Sequence, residues 1–385
     1  MANANDVLST QFMMEVVRQV AIPRNYRALQ YLPFEDVGSD DLTWDVVKDE
    51  QQLAGIVATD GIIRPGDDPI YSQMFSDVVR VGSSRIVPEK LVRTLRDPGV
   101  VGIRTGMIGD IRADAERKVA ERLLAANRDV DATVEYLGMR ALMGYIPWPP
   151  PQWGNPPGPQ YSSAKFAIDY GFKFGNLDAD AGISFGGQTL GAGYYWTDLT
   201  NADPIKDCMA VMTKLTEESG IPQDDYDIIL SSMWKYYLIQ NATLRDLLKQ
   251  SNTAPGLLNW AALQNFWESM AGFRLTFYDG QYTKRELSDA NDPSSIYTTR
   301  HRILPSNYVL FVPRQRGYVG DFPTSPSKPN NWQTGKFTWR EEKQNPWTTE
   351  VGVGINCFPR IRIPDAIAVL KIAEDPIEPP NITYS

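Results

Sequence analysis

A long run of regularly spaced apolar positions dominates the N-terminal half of the chain. Its members recur at steps of three or four residues: Ile111, Ala115, Val119, Leu123, Ala126, Val130, Val134, Leu137 and Ala141. This spacing places them on one face of an α-helix. Asp110 is a suitable N-cap, and Gly144 and Pro147 stop the pattern, so the sequence predicts one helix over 110–143. The mean step is nearer 3.75 than 3.5, which favours a core helix over a coiled coil.

The opposite side of this predicted helix is charged. Its members are Asp114, Arg117, Lys118, Glu121, Arg128, Asp131 and Glu135. Charged side chains along the outer side of an amphipathic helix normally stay in water. The sequence therefore predicts a helix with one buried face and one solvated face.

The part of the chain before this helix has a weaker pattern. Residues 1–40, with a predicted helix over 7–20, are interpreted as an N-terminal arm. From 41 to 88 the chain has strand-like runs, LTWDVV, QLAGIVA and VVRVGSSRIV, with the turn-rich GIIRPGDDPIYSQ between them. This part is interpreted as a long two-stranded excursion. Two strands alone bury too little apolar surface to be stable in water, so we expect the excursion to lie on another surface.

Beyond the long helix, strands and helices alternate. A proline-rich connector over 147–159 precedes two glycine-containing strand runs, KFAIDYGFKFGNL and ISFGGQTLGAGYYWTDL. The next four runs predict helix, strand, helix and strand, in a compact α/β unit: DPIKDCMAVMTKLTEESG, DYDIILSS, MWKYYLIQNATLRDLLKQ and FRLTFYDGQYT. A strand, NYVLFVPR, a loop over 317–336 and a strand-rich C-terminal part follow.

Composition excludes several classes of protein. The chain carries 38 basic and 47 acidic residues, a net charge of −9, which argues against a protein that grips nucleic-acid phosphates. Two cysteines and one histidine exclude a disulfide framework and a multi-histidine metal centre within one chain. The longest uncharged stretch, 141–164, contains WPPPQWGNPPGP and is too rich in proline for a transmembrane helix. The first residues lack the pattern of a signal peptide, so a soluble, intracellular protein is expected.

The strongest catalytic candidate is the run Gly182-Ile183-Ser184-Phe185-Gly186. It fits the G-x-S-x-G nucleophile elbow of serine hydrolases, and His301 lies downstream as that order requires. The elbow needs a helix after the serine, whereas more glycines and YYW follow here, and no oxyanion loop of the HGGG type is present. We therefore interpret Ser184 as part of a glycine-bulged strand and His301 as a surface or interface group. The sequence predicts no catalytic, cofactor-binding or metal-ligating residues.

Aromatic residues in polar segments are a separate signal. They include Trp44, Trp148, Trp153, Trp332, Trp339 and Trp347. Such residues suit protein interfaces or stacking on glycans, and the alternative is that they attach loops to the core. Another glycine motif, Gly352-Val353-Gly354, lacks a third glycine and leads into a strand, so a dinucleotide site is not predicted there.

The order of these elements resembles that of the major capsid proteins of tailed phages, with the Hong Kong 97-like fold, and more closely the lambda-like major capsid protein E family. The resemblance covers most of the chain from about Arg80 to Glu374. It is carried by these segments: ADAERKVAERLLAANRDVDATVEYLGMRALMG, DPIKDCMAVMTKL, YDIILSSMWKYYLIQNATLRDLL, LPSNYVLFVPRQRG and PRIRIPDAIAVLKIA.

The resemblance implies an α+β capsid fold with five parts. These are an N-terminal arm over 1–40, an extended E-loop hairpin over 41–88, a peripheral domain over 89–202 with the spine helix at 110–143, an axial domain over 203–336, and C-terminal strands over 337–385 that return to the peripheral domain. The E-loop would lie on a neighbouring subunit, which would explain how a bare hairpin persists. With this arrangement, truncating 1–40 is expected to weaken shells more than it unfolds the subunit.

The implied function is structural and non-enzymatic. The protein would form hexamers and pentamers in an icosahedral head shell, without a cofactor, around double-stranded DNA that it does not bind by sequence, and with no membrane. Scaffold, portal and decoration proteins are candidate partners, and the virion, assembled in the host cytoplasm, is the expected location. The alternatives are a nanocompartment shell of the same fold, a serine hydrolase using Ser184 and His301, and a glycan-binding, tail-associated protein.

Overall fold

The computed structural model describes residues 10–18, 26–48, 70–88, 108–148, 166–172, 190–191, 195–250, 260–287, 296–344 and 347–376. The described residues form these α-helices: α1 Thr10–Arg18, α2 Ala28–Tyr31, α3 Ile108–Leu142, α4 Pro204–Ser219, α5 Trp234–Gln240, α6 Ala242–Gln250 and α7 Trp260–Ala271. Their strands are β1 Phe34–Asp36, β2 Asp41–Lys48, β3 Ile70–Asp77, β4 Val79–Pro88, β5 Tyr145–Trp148, β6 Phe166–Asp169, β7 Leu190–Gly191, β8 Tyr226–Leu230, β9 Arg274–Phe277, β10 Gln281–Leu287, β11 Ile296–Arg302, β12 Tyr308–Pro313, β13 Gly320–Thr324, β14 Lys336–Gln344, β15 Trp347–Cys357, β16 Arg360–Ile361 and β17 Ala368–Lys371.

The long helix α3 confirms the strongest sequence prediction. The described members of its apolar stripe are all buried, at 3% exposure or less: Val119, Leu123, Ala126, Val130, Val134, Leu137 and Ala141. The helix begins at Ile108, so Asp110 lies inside its first turn and is not the cap. Its end agrees with the prediction, because Gly144 turns the chain with a φ of +87°.

The charged face of α3 differs from the prediction. Arg117, Glu121 and Arg128 are exposed as expected, but Asp131 and Glu135 are 6% and 1% exposed. Asp131 forms an ion pair with Lys336 at the start of β14. Glu135 accepts hydrogen bonds from two backbone N–H groups of the N-terminal segment. Both partners lie more than 100 residues away, so the local pattern could not reveal them.

One face of α3 lies against a six-stranded sheet. Its order is β1-β13-β15-β14, with β4 on the other edge of β15 and β16 paired to β13. The helix contacts β4 and β15, and the inward side chains Val351, Val353 and Ile355 of β15 are buried. The alternation of apolar side chains with Gly352 and Gly354 is the period-two pattern of a strand. The Gly352-Val353-Gly354 motif is therefore strand, as predicted.

The two glycines of β15 make room for aromatic rings. Phe337 and Trp339 of β14 lie directly opposite Gly354 and Gly352 in the antiparallel register. A Cβ atom on Gly352 would overlap the indole ring of Trp339, and one on Gly354 would approach the Phe337 ring to 2.8 Å. Aromatic rings placed over cross-strand glycines restore the packing that the glycines lack.

A second sheet of five strands has the order β7-β17-β12-β8-β9. Its central strands β8 and β12 are fully buried, as expected for continuous apolar runs covered on both faces. Helix α4 packs on β17 and α7 packs on β9. Helix α4 ends at Gly220 in the left-handed conformation, as its sequence predicts, and Asp203 caps its start.

Three antiparallel pairs are not extended by a third strand among the described residues: β2–β3, β10–β11 and β5–β6. We call β2–β3 the first ribbon and β10–β11 the second ribbon. The first ribbon confirms an excursion after Asp41, but its partner strand, Ile70–Asp77, lies in the segment interpreted partly as turn. The predicted strand run VVRVGSSRIV belongs to the large sheet instead, because β4 pairs with β15 along its whole length. The run QLAGIVA lies outside the described residues.

Further predictions needed correction where local signals were short. The predicted helix MWKYYLIQNATLRDLLKQ is split at Asn241 into α5 and α6, because the Asn241 side chain accepts from the N–H of Leu244 and starts a new helix. Strand β13 lies within the predicted loop over 317–336, and FRLTFYDGQYT contains β9 and the start of β10. The sequence analysis did not predict α7 or β11.

The ring-over-glycine contact predicts the effect of a substitution. Gly352→Val should lower the free energy of unfolding of the unassembled subunit by about 1–3 kcal/mol, because the added carbons displace the Trp339 ring. Gly38→Ala is the control, since a Cβ there meets no atom within 4 Å. Denaturant unfolding of both variants checks this. Equal stability of Gly352→Val and wild type would show that the ring does not need the glycine.

Candidate assembly surface

An N-terminal strap, residues 26–36, crosses three layers of the subunit. It starts against α3, passes the five-stranded sheet and ends as β1, parallel to β13 of the six-stranded sheet. Ala28, Tyr31 and Leu32 are at most 2% exposed. The interpretation of 1–40 as an arm with little core pattern is therefore wrong for this segment. Helix α1 also packs inward, on α3 and β14.

The first attachment of the strap is a buried carboxylate on α3. Glu135 accepts from the backbone N–H of Arg27 at 2.8 Å and from that of Ala28 at 3.0 Å. These groups open the short helix α2 and would otherwise lack a partner. Burial raises the pKa of Glu135 to about 7, against the opposing effect of the backbone donors. The Glu135 carboxyl therefore binds the strap from a buried position that favours the protonated form of this carboxyl.

The second attachment joins the strap to the middle of the five-stranded sheet. The Tyr31 hydroxyl donates to Asp227 of β8 at 2.8 Å, and the side chain of Asp227 is 1% exposed. Arg274 of β9 binds both oxygens of this carboxylate, at 2.9 and 2.6 Å, and Arg314 adds a bond of 3.1 Å. Burial, followed by the charge of Asp227, raises the pKa of Tyr31. A buried charge with this many donors is well compensated.

The third attachment lies at the end of the strap. Glu35 and Asp321 share two arginines, Arg360 and Arg362, and Arg360 donates to both carboxylates at 2.8 Å. Burial raises the pKa of Asp321 to about 6, and a hydrogen bond from Asp321 lowers that of Glu35. The two carboxyl groups thus differ in proton affinity because one is buried and the other lies at the surface.

The first ribbon begins a few residues after the strap. Leu42 and Trp44 are 5% exposed at its base, and the indole N–H of Trp44 donates to the carbonyl of Ile361 at 2.8 Å. The alternate residues Thr43 and Asp45 are exposed. One face of the base is therefore fixed to β16, and acidic residues surround it: Asp36, Asp40, Asp41, Asp45 and Asp77 are all exposed.

The second ribbon is fixed at its base by aromatic rings. Tyr282 lies 5.4 Å from the ring of Tyr136 on α3, measured between centroids. His301, its cross-strand neighbour, lies 5.6 Å from Tyr282 and is half-buried. The structure thus places His301 as a packing group at the base of the second ribbon, with its ring tilted by 31° against that of Tyr282. Ser184 lies outside the described residues, so the hydrolase pair is not brought together by anything the structure describes.

The tryptophans of polar segments divide into two groups. Trp44 is buried, and Trp148 and Trp339 are partly buried, so they attach their segments to the core. Trp332, in contrast, is 70% exposed. Trp153 lies outside the described residues, and so does the side chain of Trp347. The interpretation as attachment to the core is therefore confirmed for Trp44, Trp148 and Trp339, and the interpretation as an interface or glycan-stacking residue stays a prediction for Trp332.

Solved structures share this arrangement of elements. A protein described as a capsid protein of prophage from Escherichia coli CFT073 matches over 94% of this chain and 99% of its own, with 13% identity and a TM-score of 0.56. The chain has the Hong Kong 97-like capsid fold. A phage-related protein from Bordetella bronchiseptica RB50 matches at 14% identity with a TM-score of 0.47, covering 94% of this chain and 96% of that one. No family model matches the sequence, and no curated protein matches it.

The capsid fold agrees with the α+β architecture expected from the sequence, including the spine-length helix and the excursion after Asp41. Among the described helices, none is long and apolar enough to cross a membrane. The expected division into arm, E-loop, peripheral and axial parts stays a prediction, as does the absence of catalytic and metal-ligating residues.

The buried carboxyl of Glu135 predicts a pH dependence of stability. Its pKa is about 7 in the folded subunit and ordinarily 4.5, so between these values the folded state holds a proton that the unfolded state releases. The free energy of unfolding should therefore fall as the pH rises through this window, by on the order of 3 kcal/mol from this group. Glu135→Gln should remove that part of the slope in denaturant unfolding of the unassembled subunit.

Glu121→Gln, at an exposed position of the same helix, is the matched control and should reproduce the wild-type profile. A Glu135→Gln profile with the wild-type slope between pH 4.5 and 7 would contradict the assignment.

Proposed function

We propose that this chain is a major capsid protein that self-assembles into the icosahedral head shell of a tailed phage with a double-stranded DNA genome. The observation that carries the proposal is the capsid fold over 94% of the chain, shared with the Escherichia coli CFT073 prophage protein. The first ribbon, which no third strand extends among the described residues, gives the proposal a physical basis, because two strands alone are stabilised by a further surface such as a neighbouring copy.

In this proposal the parts of the chain have distinct roles. The first ribbon, within 41–88, is the E-loop that lies on a neighbouring subunit. Residues 89–202 and 337–385 form the peripheral domain around α3, and 203–336 form the axial domain around the five-stranded sheet. The arm excludes both helix α1 and the strap, because both pack into the subunit core.

Assembly would rest on many weak contacts. Each contact between copies contributes little alone, but closure of hexamers and pentamers into a shell makes the contacts cooperative. A ribbon laid on a neighbour also removes exposed strand edges. The net charge of −9 is suitable for enclosing DNA without binding each phosphate.

The remaining features of the proposal follow the same reasoning. The protein acts structurally, without catalysis or a cofactor, and its location is the virion after assembly in the host cytoplasm. Scaffold, portal and decoration proteins are the partners expected for such a shell.

Electron microscopy of the purified full chain, after size-exclusion chromatography, tests the proposal. We expect closed shells. A variant in which residues 45–73 are replaced by Asn-Gly should give none, although its subunit should unfold at the wild-type temperature. Trp44 and Met74 are cross-strand partners, so a two-residue turn can join them, and Trp44 keeps its bond to Ile361.

Shells formed equally well by this shortened variant would show that the ribbon is not an assembly element. Shells that carry protein cargo in place of DNA when isolated from an infected or lysogenic host would favour the nanocompartment alternative. A stable monomer or small ring, both alone and after co-expression with a candidate scaffold protein, would contradict the capsid proposal.

A further inference from the structure

Trp332 stands on a short loop between β13 and β14. It is 70% exposed, the largest value among the exposed large hydrophobic residues of the described chain. Its φ is +61°, and that of the preceding Asn331 is +51°. A bulky residue rarely adopts this left-handed conformation, because its Cβ crowds the backbone. The fold therefore presents an indole to water at a conformational cost.

The loop is held in place by its own hydrogen bonds. The backbone N–H of Trp332 donates to the carbonyl of Ser327 at 2.9 Å. The Asn330 side chain donates to the carbonyls of Gln333 and Thr334, at 3.2 and 3.0 Å. The indole is thus displayed by a fixed loop, so little conformational entropy is lost when it enters a partner.

A groove that suits an indole lies elsewhere on the same chain, between α4 and α6. It has a volume of about 410 Å³ and is lined by Ile205, Met209, Ala210 and Leu247, with Lys206 beside them. Met209 is 42% exposed there, although it is apolar. A methionine adapts its shape to an inserted ring, and a lysine ammonium is attracted to the face of an indole.

A closed ring of identical copies requires two different contact surfaces on each copy. Identical copies that close into a ring by rotation meet head to tail, so one patch of each copy contacts a different patch of the next. An exposed ring and an apolar groove at separate places on one chain meet this requirement. Tryptophan is also among the residue types enriched at interface hot spots, which lie in well-packed pockets from which water is excluded.

We propose that Trp332 of one copy inserts into the α4–α6 groove of a neighbouring copy in the shell. The inference rests on the proposed function, since the partner is a second copy of this chain. It adds to that function a specific contact that does not involve either ribbon.

Hydroxyl-radical footprinting with mass spectrometry tests the contact on wild-type protein. The unassembled subunit and the purified shells are labelled in parallel, and oxidation is read at Trp332 and Met209. We expect both side chains to lose reactivity together in the shell. Shells in which either side chain keeps its subunit reactivity would overturn the inference and leave the proposed function intact. If no shells form, the proposed function fails, and the inference fails with it.

Substitutions give a second, independent readout. Trp332→Ala should weaken the contact by about 30-fold in its association constant, measured as an earlier midpoint for shell dissociation in denaturant. Gln333→Ala, at the exposed neighbouring position, is the matched control. Met209→Ala should shift the midpoint in the same direction, and the double variant should lose less than the sum of the two. Additive losses would place the residues in separate contacts and overturn the inference.

Discussion

Three buried carboxylates on three different layers of the subunit determine the path of the N-terminal strap. Glu135 lies on the spine-length helix, Asp227 on the five-stranded sheet and Asp321 on the six-stranded sheet, and each is at most 3% exposed. A carboxylate in such a place is costly unless donors surround it. The strap supplies backbone N–H groups to Glu135 and the hydroxyl of Tyr31 to Asp227. The layers are thus joined by a segment that passes all three.

This constraint separates the part of the subunit that packs on itself from the first ribbon, which the proposed shell would place on a neighbouring copy. The strap finishes as β1, and after a few residues the chain enters the first ribbon, whose base is fixed by Trp44. Helix α1 and the strap pack on elements of their own chain. Among the described strands, β2 and β3 pair only with each other. A shell of identical copies needs such an element, because it has to reach a neighbour without loosening its own subunit.

The elements that could be predicted from the sequence are those whose buried positions recur at a regular spacing along one helix or strand. The stripe of α3 and the apolar runs of β8 and β12 are of this kind, and all were found. The strap could not be found in this way. Its helix has four residues, too few for a period, and its partners are separated from it by more than 100 residues. The same distance explains why Glu135 was assigned to a solvated face. Strand pairing also depends on residues far apart in the sequence. The run VVRVGSSRIV alone therefore indicates a strand of the excursion, whereas its partner β15 places it in the six-stranded sheet as β4.

Hydrogen exchange with mass spectrometry, on the unassembled subunit and on shells, tests the central claim most directly. The claim is that the strap is held within its own subunit and the first ribbon by a neighbour. The account predicts slow exchange of the backbone N–H groups of Ala28 and Phe322 in both states, and slow exchange of β2 and β3 only in shells. A strap that exchanges freely in the unassembled subunit, and becomes protected only on assembly, would contradict it.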